Sequence, residues 1–346
     1  MNAALTTLEV IHQRPIRLTP TSEELLVQVE NNMHALVAQA EHDLTCEMAA
    51  SQLNSGGKRV RARLAIHACS CFNVQPKAAV AWASAVEILH NATLVHDDVQ
   101  DGDTMRRGQA TVWAQYGLAQ AINAGDYLLM LPFLALREVP ETFQGTLSLL
   151  VADCCTRIVR GQVNEIDLNQ QKHVELCAFL AACEGKTGAL LALPVVGAAV
   201  LGGLTLPRAE RLAGPFVQLG VLFQLQDDVV DLFGEKGRAG HGSDVHEGKV
   251  GALVVALLER RPDLRDQVLS VLTKPRHTTS NADVERMRTL YLESGALSDV
   301  LDRICALRSE VLNSALLRDE PRLYQLAERL CQLALAPIAH LLTEEF

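Results

Sequence analysis

Apolar residues recur three and four positions apart along most of this chain, with polar residues between them, and that spacing predicts one helix after another. A first helix runs from Glu23 to about Ser51, and Ser55-Gly56-Gly57 breaks it before a basic segment that leads into a second apolar helix. Pro76 opens the next one, which passes through Trp82, Val86, Leu89 and Leu94 to an acidic cluster where Gly102 and Gly108 mark its end. Further helical patterns cover residues 117–137, 143–168, 173–204, 208–233, 250–259, 263–273, 281–293, 296–315 and 320–343. Residues 235–244, EKGRAGHGSD, read as a Gly-rich polar loop. Apolar/polar alternation of period two is scarce. The expectation is an all-α protein: one large helical domain over residues 23–346, preceded by an N-terminal extension of residues 1–22.

Composition narrows the choices. Only 4% of the residues are aromatic, so a core of this size is built from Leu, Ala and Val. The formal net charge of −10 argues against nucleic acid as a partner, because phosphate backbones select basic faces. Nine cysteines, an odd number without paired metal-ligand spacings, read as small buried apolar residues in a reducing compartment. The N-terminus lacks a basic region followed by an apolar core, so a cytoplasmic protein is expected. The uncharged stretch of residues 188–207 is long enough to span a membrane, yet it carries Pro194 and four glycines and no aromatic anchors. It reads as a buried helix.

Two segments echo each other. LVHDDVQD at 94–101 and LQDDVVD at 225–231 both place Asp-Asp-x-x-Asp after an apolar helical run. Residues four apart share a helix face, so Asp97 with Asp101, and Asp227 with Asp231, form pairs of carboxylates that would repel each other if left alone. One such cluster reads as a solvated face. Two facing sets, with Asp98 and Asp228 beside them, suit Mg²⁺, which takes a few carboxylates and leaves positions for water and phosphate oxygens. Cations accompany them: Lys58, Arg59 and Arg61 in GGKRVR, and Arg106-Arg107 just beyond the first cluster. Together they could form a metal-free anion site, since guanidinium groups grip phosphate through paired hydrogen bonds. His90 lies seven residues before Asp97, on nearly the same face, and favours ligand contact over a core role. Asp103, outside the repeated pattern, reads as a helix-end or Arg-pairing residue.

In order and spacing, GGKRVR (56–61), HNATLVHDDVQDGDTMRRG (90–108), GKTGAL (185–190), FQLQDDVVD (223–231) and SDVHEGK (243–249) resemble the trans-isoprenyl diphosphate synthases, the polyprenyl synthetases. The likeness covers nearly all of the chain from about residue 23 onward. It implies a helical bundle of the isoprenoid synthase type with a central cavity. It implies that Asp97, Asp98, Asp101, Asp227, Asp228 and Asp231 hold Mg²⁺ ions, three with substrate bound, that in turn hold an allylic diphosphate. By the same resemblance Arg106, Lys186, Thr187, Gln224 and Lys249 complement that substrate, Lys58, Arg61, His90 and Arg107 take isopentenyl diphosphate, and Phe223 forms a wall of the site. The implied reaction ionises the allylic diphosphate and adds one five-carbon unit, with no covalent nucleophile. A homodimer is implied too, and the apolar segment 117–137 offers a contact face for it.

Some positions depart from the family's pattern. Ala239 stands where a loop lysine is common, with Arg238 next to it, and Gly251 stands where a threonine is usual. Product length is expected to depend on Ala92, Thr93 and Leu89, since Thr93 and Ala92 lie roughly 6–7.5 Å below Asp97 along a helix. The small Ala92 points to a product of geranylgeranyl length or longer. Two alternatives stay open. A class I terpene cyclase would use Asp227, Asp231 and Glu235, and a non-catalytic subunit of a heteromeric synthase would explain the altered loop.

Overall fold

The computed structural model describes residues 20–38, 43–170, 175–234 and 242–342. The N-terminal extension, apart from its last residues, and positions Glu235, Arg238 and Ala239 therefore lie outside the described residues. The chain begins with α1 (Ser22–Val37), α2 (Leu44–Asn54), α3 (Val60–Cys71) and α4 (Pro76–Asp101). A two-residue antiparallel hairpin follows, β1 (Met105–Arg106) and β2 (Gln109–Ala110). Next come α5 (Val112–Tyr116), α6 (Leu118–Ala135), α7 (Glu141–Gln170), α8 (Leu176–Cys183), α9 (Ala189–Leu201) and α10 (Leu206–Phe233). The C-terminal third holds α11 (Ser243–Glu247), α12 (Ala252–Arg260), α13 (Arg265–Leu272), α14 (Asn281–Glu293), α15 (Ala296–Leu312), α16 (Ala315–Arg318) and α17 (Pro321–Leu335). The fold is all-α, as the periodicity requires.

Local chemistry explains the places where the helices differ from the expected spans. The helix anticipated over Glu23–Ser51 is two helices, because Asp43 starts α2 by accepting a hydrogen bond from Cys46 N at 2.9 Å, a true N-cap. The pattern over 173–204 contains a π-helical turn, Glu184–Gly188, between α8 and α9. Helix α15 stops at Leu312, and the last helix gives way at Ala336 to a tighter 3₁₀ turn. At α4 the expected signals hold: Pro76 occupies its first turn, and Gly102 ends it with φ of 70°.

Helix α4 is the central strut and packs on α1, α3, α6 and α9. Every residue of α9 is buried, which accounts for its uncharged sequence. Trp82 locks the two together: it has no exposed surface, its ring fills the space left by Gly197, and its Nε1 donates to the Pro194 carbonyl at 3.0 Å. Truncating such a side chain costs about 3–5 kcal/mol. Among the described residues three helices meet the length and composition of a membrane span, Pro76–Asp101, Leu118–Glu138 and Leu176–Leu201, and the apolar window of the first is 89% buried within the protein. Two hydrophobic clusters, one around α4 and α9 and one around α12 and α15, both contact Phe223 on α10.

Candidate active site

Each residue of an α-helix turns about 100°, so positions four and seven before Asp97 lie within roughly 40° of it. His90, Thr93, Leu94, Asp97 and Asp101 accordingly line one cleft, of about 360 Å³ and open to solvent. Arg61 from α3, Ile158 from α7, Leu190 and Leu191 from α9, and Phe223, Gln224 and Asp227 from α10 form the other walls. Phe223 is thus both a core contact and a wall. Ala92 sits five positions before Asp97, about 140° away, and points elsewhere. Both Ala92 and Leu89 have no exposed surface and do not line the cleft, so among the three expected chain-length positions Thr93 is the one that faces it.

The π turn delivers Lys186 and Thr187. It holds one residue more per turn than an α-helix, a distortion often found at functional sites. Close packing requires glycine here: a Cβ on Gly161 of α7 would lie 2.6 Å from Lys186 N, and one on Gly220 of α10 would lie 2.5 Å from Gly188 Cα. Lys186 Nζ consequently reaches Glu165 Oε2 at 2.8 Å and Asp97 Oδ1 at 3.7 Å. Burial alone would lower its pKa, but the carboxylates of Asp97 and Glu165 outweigh it and hold the amine charged. Thr187 Oγ1 donates to Gln224 Oε1 at 3.0 Å, and Gln224 Nε2 donates to Asp228 Oδ1 at 3.1 Å.

The two Asp-Asp-x-x-Asp segments are not used alike. Burial raises the pKa of Asp97, with Lys186 opposing, and raises that of Asp98, whose Oδ1 accepts from Arg106 Nε at 2.6 Å. Asp227 lines the cleft opposite Asp97 and Asp101. Asp228 turns inward, where it accepts from Ala252 N at 2.7 Å. Burial, opposed by the Ala252 and Gln224 hydrogen bonds and reinforced by Asp227 and Glu165, pushes its carboxyl up to about 7. Asp231, expected as a metal ligand, does not line this cleft with Asp227. Its carboxylate accepts from Ser243 N at 3.0 Å, Ser243 Oγ at 2.5 Å and Asp244 N at 3.2 Å, which pins the start of α11. Lys249, just beyond α11, reaches Asp101 Oδ2 at 3.0 Å and Glu247 Oε2 at 2.7 Å. Those carboxylates overcome its burial and keep it protonated.

The cationic side divides too. Arg61 Nη1 lies 3.0 Å from His90 Nε2. Since a guanidinium only donates, His90 Nε2 must accept, which puts the ring proton on Nδ1. Burial, then the neighbouring Arg61, Arg107, Arg106 and Arg59, hold the imidazole well below its ordinary pKa. Arg61 Nε and His90 Nδ1 are both buried donors with no acceptor among the described residues. Arg107 folds over Gly56-Gly57 and donates to the Gly56 carbonyl, bringing the hairpin against the start of α3. Lys58 is exposed beside it. Arg59 does not share the site: it is buried, bonded to Glu30 at 2.6 Å and to the Leu53 carbonyl at 2.7 Å, and serves to join α1, α2 and α3. At φ 48° its backbone is left-handed, which swings the side chain inward.

Among the described residues no group of three His, Cys, Asp or Glu side chains converges on a single metal position. The oxygen donors of Asp97 and Asp101 on one wall and Asp227 on the other nonetheless fit Mg²⁺, which takes one or two carboxylates and completes its shell with water and phosphate. Asp98 Oδ2 is a further buried oxygen without a partner among the described residues.

Helix α7 supplies residues that the motif reading missed. Gln162 Nε2 donates to Gln100 Oε1 at 2.8 Å, Glu165 holds Lys186, and Asn169 Oδ1 accepts from Val250 N at 2.8 Å. Their spacing of three and four marks one polar face in GQVNEIDLNQ, a signal available in the sequence. Asp103 meets its expectation as an Arg-pairing residue, with Arg276 Nη1 at 2.9 Å.

Comparison with known proteins shows the family. The polyprenyl synthetase family model matches residues 42–291. A geranylgeranyl pyrophosphate synthase of Geoglobus acetivorans is 31% identical over 300 residues, 85% of this chain and 88% of that protein. A short chain isoprenyl diphosphate synthase of Methanocaldococcus jannaschii is 33% identical over 224 residues, 64% of this chain and 68% of that one. Among solved structures, a polyprenyl synthetase from Streptomyces coelicolor A3(2) superposes with a TM-score of 0.80 at 27% identity, covering 89% of this chain and 98% of that one. With the family model matched over most of the chain, a relative 31% identical along most of both lengths and a solved polyprenyl synthetase of the same fold, the chain belongs to the polyprenyl synthetase family of prenyltransferases.

Proposed function

We propose that this protein condenses isopentenyl diphosphate with an allylic prenyl diphosphate in a Mg²⁺-dependent reaction, giving an all-trans prenyl diphosphate of geranylgeranyl length or longer, a length supported by the geranylgeranyl pyrophosphate synthase relative rather than by Ala92, which does not face the cleft. The observation that carries this reading is one cleft with Asp97 and Asp101 facing Asp227, Lys186 in its lining, Lys249 held against Asp101, and Arg61 with His90 on its far wall. Bound Mg²⁺ would neutralise the diphosphate and ease its departure as a leaving group. Asp97, Asp101 and Asp227 would hold it, with Asp98 and Asp228 supporting from behind.

This chain's own residues do the rest. Lys186 and Lys249 meet the negative charge that grows on the leaving diphosphate, preorganised by carboxylates so that little rearrangement is needed. Arg61, His90, Lys58 and Arg107 hold the second diphosphate, and the buried donors Arg61 Nε and His90 Nδ1 await acceptors. The allylic carbon–oxygen bond breaks, the isopentenyl double bond supplies the electron pair for the new carbon–carbon bond, and a proton leaves to the released diphosphate. Thr93, Leu190, Leu191 and Phe223 shelter the carbocation from water.

We also infer a homodimer, formed over α6 and α7, in a catalytic unit that extends from residue 23 onward. Leu118, Ile122, Met130 and Leu134 on α6 and Leu149, Val159, Val163 and Ile166 on α7 are exposed apolar residues of the kind a second copy would cover.

The test incubates pure protein with Mg²⁺, isopentenyl diphosphate and each allylic primer, then weighs the products by mass spectrometry. Products lengthened by five carbons are expected. A cyclised hydrocarbon, or no product without a partner chain, would overturn the reading.

A further inference from the structure

Arg276 lies in a 3₁₀ turn, Arg276–Thr278, 175 residues from Asp101 in sequence yet in contact with it. Its Nη1 donates to the Asp101 carbonyl at 3.1 Å and to Asp103 Oδ1 at 2.9 Å. Its Nη2 stands 3.0 Å from Glu247 Oε1. The other oxygen of Glu247 meets Lys249 at 2.7 Å, and Lys249 returns to Asp101 Oδ2 at 3.0 Å. These contacts form a closed ring. Glu247, its side chain 8% exposed, bridges two cations that are both anchored on the end of α4.

The backbone reinforces the ring. Gly248 has φ of 70° and lies so close to the Leu272 carbonyl at the end of α13 that a Cβ would collide with it. The end of α13 and the segment bearing Lys249 are therefore packed backbone to backbone.

We propose that Arg276 is a positioning residue for the prenyl-transfer reaction: through Glu247 it keeps Lys249 at the rim of the cleft when Asp101 turns to metal and diphosphate. The inference rests on the proposed function. In the metal-free protein Lys249 has two carboxylate partners, and it loses one when Asp101 is taken. Glu247 then keeps the ammonium facing the diphosphate only if Glu247 is itself fixed. Arg276 fixes it, and does so from α4's own end, so the anchor does not depend on the carboxylate that leaves.

The decisive measurement needs no turnover. Hydrogen exchange of the metal-free protein is compared for wild type, Arg276→Gln, Arg276→Lys, Glu247→Gln and the Arg276→Gln/Glu247→Gln pair. Arg276→Gln is expected to speed exchange across residues 243–249 by about fivefold, the scale of one partly exposed ion pair, with α9 unchanged. Arg276→Lys, which keeps the charge, recovers part of the protection. The double variant is no faster than Glu247→Gln, because both changes break one ring. In steady-state assays Arg276→Gln raises KM for the allylic primer about fivefold and leaves that for isopentenyl diphosphate in place. Unchanged exchange, exchange accelerated equally in α9, or both KM values moving together would overturn the inference. If wild type elongates no primer, the proposed function fails, and the exchange data still decide whether the ring holds Lys249.

Discussion

Lys186 Nζ stands 2.8 Å from Glu165 Oε2 and 3.7 Å from Asp97 Oδ1, so one ammonium is shared between a supporting carboxylate and one that lines the cleft. Its charge faces the leaving diphosphate in the proposed reaction. Lys186→Gln, which keeps a donor but removes the charge, is expected to lower kcat by about 10²–10³. Glu165→Gln leaves Lys186 to Asp97 alone, competing with metal, and is expected to raise the Mg²⁺ concentration for half-maximal rate. Steady-state kinetics over a Mg²⁺ series check both. A change confined to KM for isopentenyl diphosphate would place Lys186 at the wrong diphosphate.

Thr93 faces the cleft and Ala92 does not, and the two should respond differently to the same added bulk. Thr93→Phe fills the space under Asp97 and is expected to shorten the product by at least one five-carbon unit. Ala92→Phe forces a ring into a fully buried helix contact and is expected to cost about 1–3 kcal/mol of stability. Product masses and thermal unfolding of the two variants test the assignment.

Much of this was legible in the chain itself. Pro76 and Gly102 bound α4 for local reasons, and Asp97 and Asp101 share a face because the helix repeat makes them. Asp101 and Asp231 look equivalent in sequence, yet Ser243 and Asp244 fold back onto Asp231 and bond its carboxylate, while Asp101 lines the cleft. Arg59 and Arg61 are two residues apart, and a left-handed backbone at Arg59 sends one inward and leaves the other in the cleft. The π turn at Lys186 sits where glycines of α7 and α10 let the helices approach closely, which no single-helix period records. Arg276 is invisible for a similar reason, since only the tertiary fold brings it to Asp101.

Ile122 and Met130 lie eight positions apart on α6 and are 45% and 58% exposed. Charges there cost the isolated chain little, because both side chains already face solvent. At a subunit contact the same charges would be buried without partners. Ile122→Glu with Met130→Glu is therefore expected to convert a dimer into a folded monomer. Sedimentation velocity reads the mass, and circular dichroism verifies that the helices persist.

His90 ties the fold to pH. Burial, helped by four nearby arginines, holds its pKa well below the ordinary value of a histidine. The unfolded chain takes up this proton near pH 6.5 while the folded protein resists it, so unfolding is favoured as acid is added. Stability from this group is fully present above about pH 6.5 and is lost progressively toward the folded pKa, with a slope of up to about 1.4 kcal/mol per pH unit. His90→Gln can still offer an oxygen to Arg61 but cannot titrate. Urea unfolding at pH 7.5, 6.5 and 5.5 is therefore expected to show a shallower acid loss in His90→Gln than in wild type. Inorganic pyrophosphate bound beside Arg61 would partly cancel the arginine charges, raise the folded pKa and flatten the wild-type slope toward that of the variant. Parallel slopes in the two proteins, with and without pyrophosphate, would mean that His90 protonates as readily in the folded protein as in the unfolded chain.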